Sequence, residues 1–282
     1  MDVLLTGASG FVGRKLVVAL AKEHRVIALS RRPTGLPGEI IHDFAQPLPS
    51  DRLPRRIDSI IHTAALVGHQ ANSSPLCQRV NVDATMELAD YAIRAHAKRF
   101  IFFSTGGVYR PTEQLLTEQS VVAPPDAYTQ SKLTAEIAAQ SFKGDLVVQI
   151  LRLFFPFGPT QRGRLIPNLI EQVAQDKPIR LANELGQPLV TPLYIDDLVE
   201  YLRRVLFVPD SFVANLAGAE VVSIRTLADM IAKVLDRPAL FEVEDGTTIC
   251  NWWGDNKLIS RLTEYLPRVS LEVGLERTIA EM

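Results

Sequence analysis

The sequence predicts an α/β fold, a doubly wound parallel sheet of the Rossmann kind followed by a small C-terminal substrate lobe. Three observations predict it. Strand-like and helix-like segments alternate from the first residue to about residue 151. Most of the strand-like runs are apolar on both faces, as in a parallel sheet covered by helices. After Arg152 the alternation gives way to a stretch rich in proline and glycine.

In chain order, residues 1–6 form a short apolar run that ends at Gly7 and reads as a buried strand. Residues 13–22 place Leu16, Val17, Leu20 and Ala21 at helical spacing. Buried strands follow at 24–30, 57–62 and 100–104, the last preceded by a helix at about 83–96. A helix at 128–140 leads to a strand at 146–151. Beyond the loop at 155–163, helices are predicted at 165–176, 196–207 and 223–235, and a short strand at 193–195 is expected to return to the main sheet. The expected domains are therefore 1–155, with 189–217 returning to it, and a lobe from 156–188 and 218–282. There is no internal repeat and no low-complexity tract.

Composition narrows the function classes. A chain of 282 residues with 47% hydrophobic and 22% charged residues can bury a full core. A net charge of -2 supplies no basic excess for a nucleic-acid or membrane-surface partner, so a small-molecule substrate is expected. No apolar run approaches the ~20 residues that span a bilayer. The first strand starts at once, so no signal peptide is expected. Cys77 and Cys250 form neither a disulfide framework nor a zinc pattern, and the five histidines have no metal-ligand spacing. A cytoplasmic protein without a metal is expected, with both cysteines as small packing residues.

Gly7, Ala8, Ser9, Gly10, Phe11, Val12 and Gly13 join the first strand to the first helix. Glycines there let the backbone turn sharply and approach a pyrophosphate on the positive end of the helix. A plain glycine turn is the alternative. An enzyme specific for NAD usually has an acidic residue at the end of the second strand, where this chain reads Leu29, Ser30, Arg31, Arg32. A guanidinium suits a 2′-phosphate, so NADP is preferred over NAD, with a solvated arginine pair as the alternative.

Tyr128 and Lys132 stand one helical turn apart and share a helix face. A phenol with a pKa near ~10 is a poor base at neutral pH, but a neighbouring ammonium and a nicotinamide ring both favour phenolate. A shift of about three units corresponds to roughly 4 kcal/mol, within reach of two nearby positive charges. By itself this pair also occurs by chance.

Its company is more specific. TGASGFVG at 6–13, Asp43 after a hydrophobic pair, DSIIHTAA at 58–65, NVDAT at 81–85, FFSTGGVY at 102–109, YTQSK at 128–132, FFPFGP at 154–159 and LYIDD at 193–197 follow one another in order. The chain thereby resembles the extended short-chain dehydrogenases/reductases, which include sugar-nucleotide epimerases and dehydratases. The resemblance implies that Gly7, Ser9, Gly10, Phe11, Val12 and Gly13 hold the cofactor's pyrophosphate and that Asp43, with Phe44, meets the adenine. It implies that Thr63, Ala64 and Ala65 pass beside ribose and phosphates, and that Asn81 organises the strand ends. Ser104 and Phe155 complete the cofactor set. Thr105 would hydrogen-bond the reacting oxygen, Tyr128 would exchange the proton, and Lys132 would bind the nicotinamide ribose and tune Tyr128. A homodimer through the helices at 83–96 and 128–140 is also implied. Local roles remain open beside these: a turn for Asp43, a helix cap for Asn81 and a strand-end hydroxyl for Thr105.

Two departures shape the functional expectation. Gly106 and Gly107 stand where dehydratases of the family carry an Asp-Glu pair, so dehydration is not expected. Phe155 and Val190 stand where nucleotide-sugar enzymes carry an Asn and an Arg that help hold the diphosphate. An apolar side chain leaves a diphosphate poorly compensated. The expected function is therefore NAD(P)-dependent interconversion of a carbonyl and an alcohol on a substrate other than a nucleotide sugar. Arg162, Arg164 and Arg180 are alternative phosphate contacts. The aromatic run 154–157 is either an apolar substrate wall or core, and Trp252 and Trp253 beside Asn251 line a cleft or pack the lobe. A nucleotide-sugar epimerase is the first rival, and a non-catalytic dinucleotide sensor the second.

Overall fold

The computed structural model describes residues 1–244 and 251–282, with the side chains of all of these except His69 and Gln70. Cys250 lies outside the described residues.

The elements begin with β1 (Asp2–Thr6), α1 (Phe11–Leu20), β2 (Arg25–Ser30), β3 (Ile40–Ile41), β4 (Ser59–His62) and α2 (His69–Asn72). A π-helical turn (Arg79–Asp83) runs into α3 (Ala84–Arg94), followed by β5 (Arg99–Thr105), a 3-10 turn (Gly106–Val108), α4 (Ala127–Gln140) and β6 (Val147–Leu153). Next come β7 (Pro156–Phe157), α5 (Leu165–Ala174), β8 (Ile179–Leu181), β9 (Leu189–Val190), β10 (Leu193–Tyr194) and α6 (Ile195–Val205). The chain continues with β11 (Phe212–Leu216), β12 (Val222–Ser223), α7 (Ile224–Leu235), β13 (Phe241–Val243), α8 (Lys257–Thr263) and α9 (Leu271–Ala280).

The central sheet has seven strands in the order β11-β6-β5-β4-β1-β2-β3, and the β1–β2, β2–β3, β1–β4 and β4–β5 pairs are parallel. This is the doubly wound Rossmann-type sheet the sequence predicts. The chain steps outward from β1 to β3, then crosses back to place β4 on the other side of β1. That reversal leaves a crevice at the carboxyl ends of β1 and β4, where Thr6 pairs with His62. Leu4, Leu29, Ile60, Phe100, Phe102 and Ile150 from the strands share one core with Leu88, Ala89 and Ala92 of α3 and Ala135 and Ala139 of α4. Alanines on the inner helix faces let the backbones come close to the sheet.

By compactness the chain forms two units. The first comprises 1–110, 121–152 and 206–214; the second comprises 111–120, 153–205 and 215–282. In the second unit α5, α7 and α9 bury Leu169, Ile170, Leu227, Ile231 and Leu275.

The segment expected to return to the main sheet at 193–195 does not do so. Leu193 and Tyr194 pair in parallel with Pro156 and Phe157 in a separate two-stranded sheet. The buried Asp197 carboxylate, just beyond, accepts hydrogen bonds from the Tyr265 hydroxyl and the Arg268 and Val269 amides. These bonds commit the segment to the second unit. The strand that joins the main sheet is β11, where the polar Asn215 interrupts the apolar run that marks a strand. α1 also begins earlier than predicted, within the glycine loop.

Candidate functional site

The site is built from the loops that leave the carboxyl ends of the strands. Gly7 turns out of β1 with φ +69°, a conformation that favours glycine. A Cβ on Gly7 would stand 2.6 Å from Thr63 Oγ1 and 2.7 Å from the Ala64 nitrogen, and one on Gly13 would stand 2.2 Å from the Gly7 carbonyl oxygen. The loop after β1, the loop after β4 and α1 thus meet backbone to backbone. Gly10 is the N-cap of α1; no side chain caps the helix and no acidic residue lies in its first turn. With half-buried Ser9, Phe11 and Val12 around it, this end is suited to an anion.

At the end of β2 the Ser30 hydroxyl donates to the Arg32 carbonyl at 2.6 Å, which shapes the turn, while the Arg31 and Arg32 side chains are exposed. Asp43 is exposed and accepts from the Ala45 amide at 3.0 Å, the turn role left open by the sequence. Phe44 is buried edge-on against His42 and His62.

A buried relay joins the strand ends to α4. The Ala64 amide donates to Thr6 Oγ1 at 3.3 Å, and Thr6 Oγ1 lies 2.6 Å from His62 Nδ1. His62 Nε2 lies 3.1 Å from Thr85 Oγ1, whose hydroxyl donates to the Asn81 carbonyl. Because the Thr85 proton is used there, His62 donates through Nε2 and accepts from Thr6 through Nδ1. Asn81, held in the π-helical turn, accepts from the Leu66 amide at 2.8 Å and donates to the Leu66 carbonyl at 3.0 Å and to Ser131 Oγ at 2.9 Å. Ser131 Oγ donates to the Tyr128 carbonyl at 2.7 Å. Asn81 therefore organises the loop after β4 and reaches the helix that carries Tyr128. Thr6, Thr85 and Ser131 lie within the segments at 6–13, 81–85 and 128–132 but were given no role of their own from the sequence.

Full burial, reinforced by Lys132, holds the His62 imidazole well below its ordinary pKa, and burial lowers His42 too. Below pH 6.5 the unfolded chain therefore binds a proton that the folded chain does not. Stability is expected to fall with decreasing pH by up to about 1.4 kcal/mol per pH unit from His62. Urea denaturation at a series of pH values checks this: His62→Gln should flatten the slope below pH 6.5, and an unchanged slope would assign it to other groups.

α4 is fixed at its first turn. Asp126 and Thr129 form a reciprocal capping box, with the Thr129 amide 2.8 Å from Asp126 Oδ1. The Tyr128 amide donates to Asn72 Oδ1 at 2.7 Å. Tyr128 is half-buried, and Lys132, one turn on, is 3% exposed. Lys132 Nζ lies 3.9 Å from the centre of the Phe102 ring, and burial lowers its pKa to about 7. Thr105, at the end of β5, accepts from the Gly107 amide at 3.1 Å, the local role left open for it. The adjacent Ser104 hydroxyl is buried with no hydrogen-bond partner among the described residues. A Cβ on Gly107 would stand 2.7 Å from Thr129 Cγ2, so the site has no room for an acid at this position.

Phe155 belongs to the second unit, half-buried with φ +36°, a left-handed conformation that strains an aromatic residue. Phe154 and Phe157 of the same run are core. Val190 is buried and pairs with Val222. Asn251 is buried, its Oδ1 accepting from the Leu189 amide, and Trp252 and Trp253 are partly buried beside it. Among the described residues no histidine, cysteine and carboxylate cluster could hold a metal, and no helix is long and apolar enough to cross a membrane.

The sequence model of the NAD dependent epimerase/dehydratase family matches residues 3–217. The chain belongs to this family. It is an enzyme of the short-chain dehydrogenase/reductase type, and its relatives are NAD-dependent. The Bacillus subtilis (strain 168) protein called uncharacterized UDP-glucose epimerase YtcB is 29% identical, over 99% of this chain and 97% of its own. UDP-glucuronic acid decarboxylase 1 of Arabidopsis thaliana is 26% identical over 100% of this chain and 69% of its own. The solved structure of MoeE5 in complex with UDP-glucose and NAD is 29% identical, covers 100% of this chain and 98% of its own, and superposes with a TM-score of 0.88.

These relatives favour the nucleotide-sugar alternative over the expected substrate other than a nucleotide sugar. That expectation rested on two positions, Phe155 and Val190, whereas a diphosphate can be met by cations elsewhere. Arg162 and Arg164 are exposed at the start of α5 in the second unit. Nor is the expected NADP preference supported, since the solved relative holds NAD. An exposed guanidinium is not committed to a phosphate by its position alone.

Proposed function

We propose that this family member epimerises a UDP-sugar, with NAD as cofactor and Tyr128 as the group that removes and returns a hydroxyl proton. The observation that carries this reading is the full-length likeness to a protein solved with UDP-glucose and NAD, on a chain that keeps Thr105, Tyr128 and Lys132. The glycine cradle fits NAD: Gly7 and Gly13 lie where any Cβ would collide, and the N-terminus of α1 carries no side-chain cap. Gly7 to Gly13 would hold the pyrophosphate, Thr63, Ala64 and Ala65 the adjoining phosphates and ribose, Asp43 and Phe44 the adenine, and Lys132 the nicotinamide ribose. Ser104, with its unpartnered hydroxyl, is available on the same strand end. NAD, when bound, would supply the hydride chemistry that epimerisation needs, removal of a hydride from the carbon bearing the hydroxyl and its return to the opposite face.

In this reading Tyr128, as phenolate, accepts the proton of the sugar hydroxyl and later returns it. Lys132 in its charged form lowers the pKa of Tyr128, and Thr105 donates to the reacting oxygen. The second unit is the proposed substrate lobe, with Arg162, Arg164 and Arg180 as candidate diphosphate contacts. A homodimer through α3 and α4 is proposed on the exposure of Met86, Ile93 and Ile137 along these helices.

Incubating the purified protein with UDP-glucose and NAD, and separating products by anion-exchange chromatography, tests the reading. The expected product is UDP-galactose without lasting accumulation of NADH. Stoichiometric NADH would indicate a dehydrogenase instead, and carbon dioxide from UDP-glucuronic acid a decarboxylase, the activity named for the Arabidopsis thaliana relative.

A further inference from the structure

Tyr128, Lys132 and Glu136 succeed one another at single-turn spacing along α4. Glu136 takes no part in the chemistry proposed above, yet it is a fully buried carboxylate. Arg152 of β6 donates to it three times, from Nε at 3.1 and 3.2 Å and from Nη2 at 2.7 Å. The Arg152 guanidinium also lies 4.7 Å from the centre of the Tyr109 ring, and Tyr109 is buried directly after the 3-10 turn that follows Thr105. The cluster thus ties together the elements that carry Thr105, Tyr128 and Lys132.

Stability alone is a weak reason for such a pair, because apolar residues of similar volume commonly hold a core as well. Lys132 supplies a stronger one. The titratable groups that act on it are His62 from β4, Cys77 from the segment before the π-helical turn and Glu136 from its own helix, with Tyr128 one turn earlier on α4. His62 is held neutral, and of the two groups that favour the charged form of Lys132, Glu136 acts more strongly than Cys77. Burial drives the Lys132 proton off, and Glu136 opposes that.

We propose that Glu136, held in an ion pair by Arg152, is a positioning residue for catalysis whose carboxylate favours the ammonium form of Lys132 beside Tyr128. This rests on the Tyr128–Lys132 reading of the site but not on the identity of the substrate.

The test uses charge changes of opposite sign. Glu136→Gln leaves Arg152 unopposed, so Lys132 loses its proton more readily and Tyr128 holds its own more tightly. The acid limb of the kcat/KM profile should move up by about one pH unit. The phenolate titration of Tyr128 in the cofactor-free protein, read as an ultraviolet difference spectrum against Tyr128→Phe, should move the same way. Arg152→Gln, which leaves the carboxylate unopposed, should move both curves down, and Glu136→Asp should keep them near the wild-type position. If Glu136→Gln does not fold, Arg152→Gln carries the test alone. A fall in kcat at every pH with both curves unmoved would overturn the proposal. Because the titration needs no turnover, a wrong substrate assignment would leave its shift intact.

Discussion

Tyr128→Phe is expected to lower kcat by about a thousandfold, within the range that one acid–base group supplies. NAD affinity and thermal stability should stay near the wild-type values. The reason is local. Tyr128 is half-buried, and its backbone position is set by the Asn72 side-chain oxygen Oδ1 and the Asp126–Thr129 box, which hold the main chain of α4. Phe keeps the ring and removes the proton-bearing atom. Steady-state turnover of a UDP-sugar, with NAD binding followed by calorimetry, checks both halves of the expectation. Undiminished turnover would remove Tyr128 from the reaction.

Gly13→Ala is expected to cripple the protein at the other end of the site. Its methyl group would stand 2.2 Å from the Gly7 carbonyl oxygen and 2.9 Å from Ala8 Cα. Neither neighbour is a flexible side-chain tip, so α1 must move away from the loop. Overpacking of this kind costs about 1–3 kcal/mol, and here the displaced groups are the amides proposed to hold a pyrophosphate. NAD affinity should fall at least about tenfold, the equivalent of about 1.4 kcal/mol, with a lower Tm. Gly35→Ala is the control: Gly35 also has positive φ, but a Cβ there meets nothing within 4 Å, so it should cost stability without touching NAD affinity. Equal NAD binding by Gly13→Ala and wild type would show that the cradle does not hold the cofactor.

The sheet was legible because its strands are apolar on both faces and its crossovers are regular helices. The run from Asp2 to Thr6, the glycine turn and the Tyr128–Lys132 spacing each carry a local signal that survives without a structure. The second unit was harder to read. β7, β9, β10 and β12 are two residues long, too short for any periodicity, and β11 hides behind Asn215. Glu136 and Arg152 are adjacent in space but separated along the chain, so each alone reads as a surface charge. The substrate expectation is the less favoured reading for a related reason. Phe155 and Val190 report the loss of two particular phosphate contacts, whereas diphosphate recognition depends on the summed field of whatever cations surround it.

The relay from Thr6 through His62 and Thr85 to Asn81 also constrains how this sequence can drift. An apolar residue of similar size at position 62 would take from the Thr6 hydroxyl its acceptor and from Thr85 Oγ1 its ring N–H donor, leaving each with one partner, and a lone valine at either threonine would strand a ring nitrogen. Each single step passes through a less stable chain, whereas a concerted exchange of all three for hydrocarbon need not. These positions should therefore be inherited as a block, and grafting one of them from a relative should succeed only when its neighbours come with it.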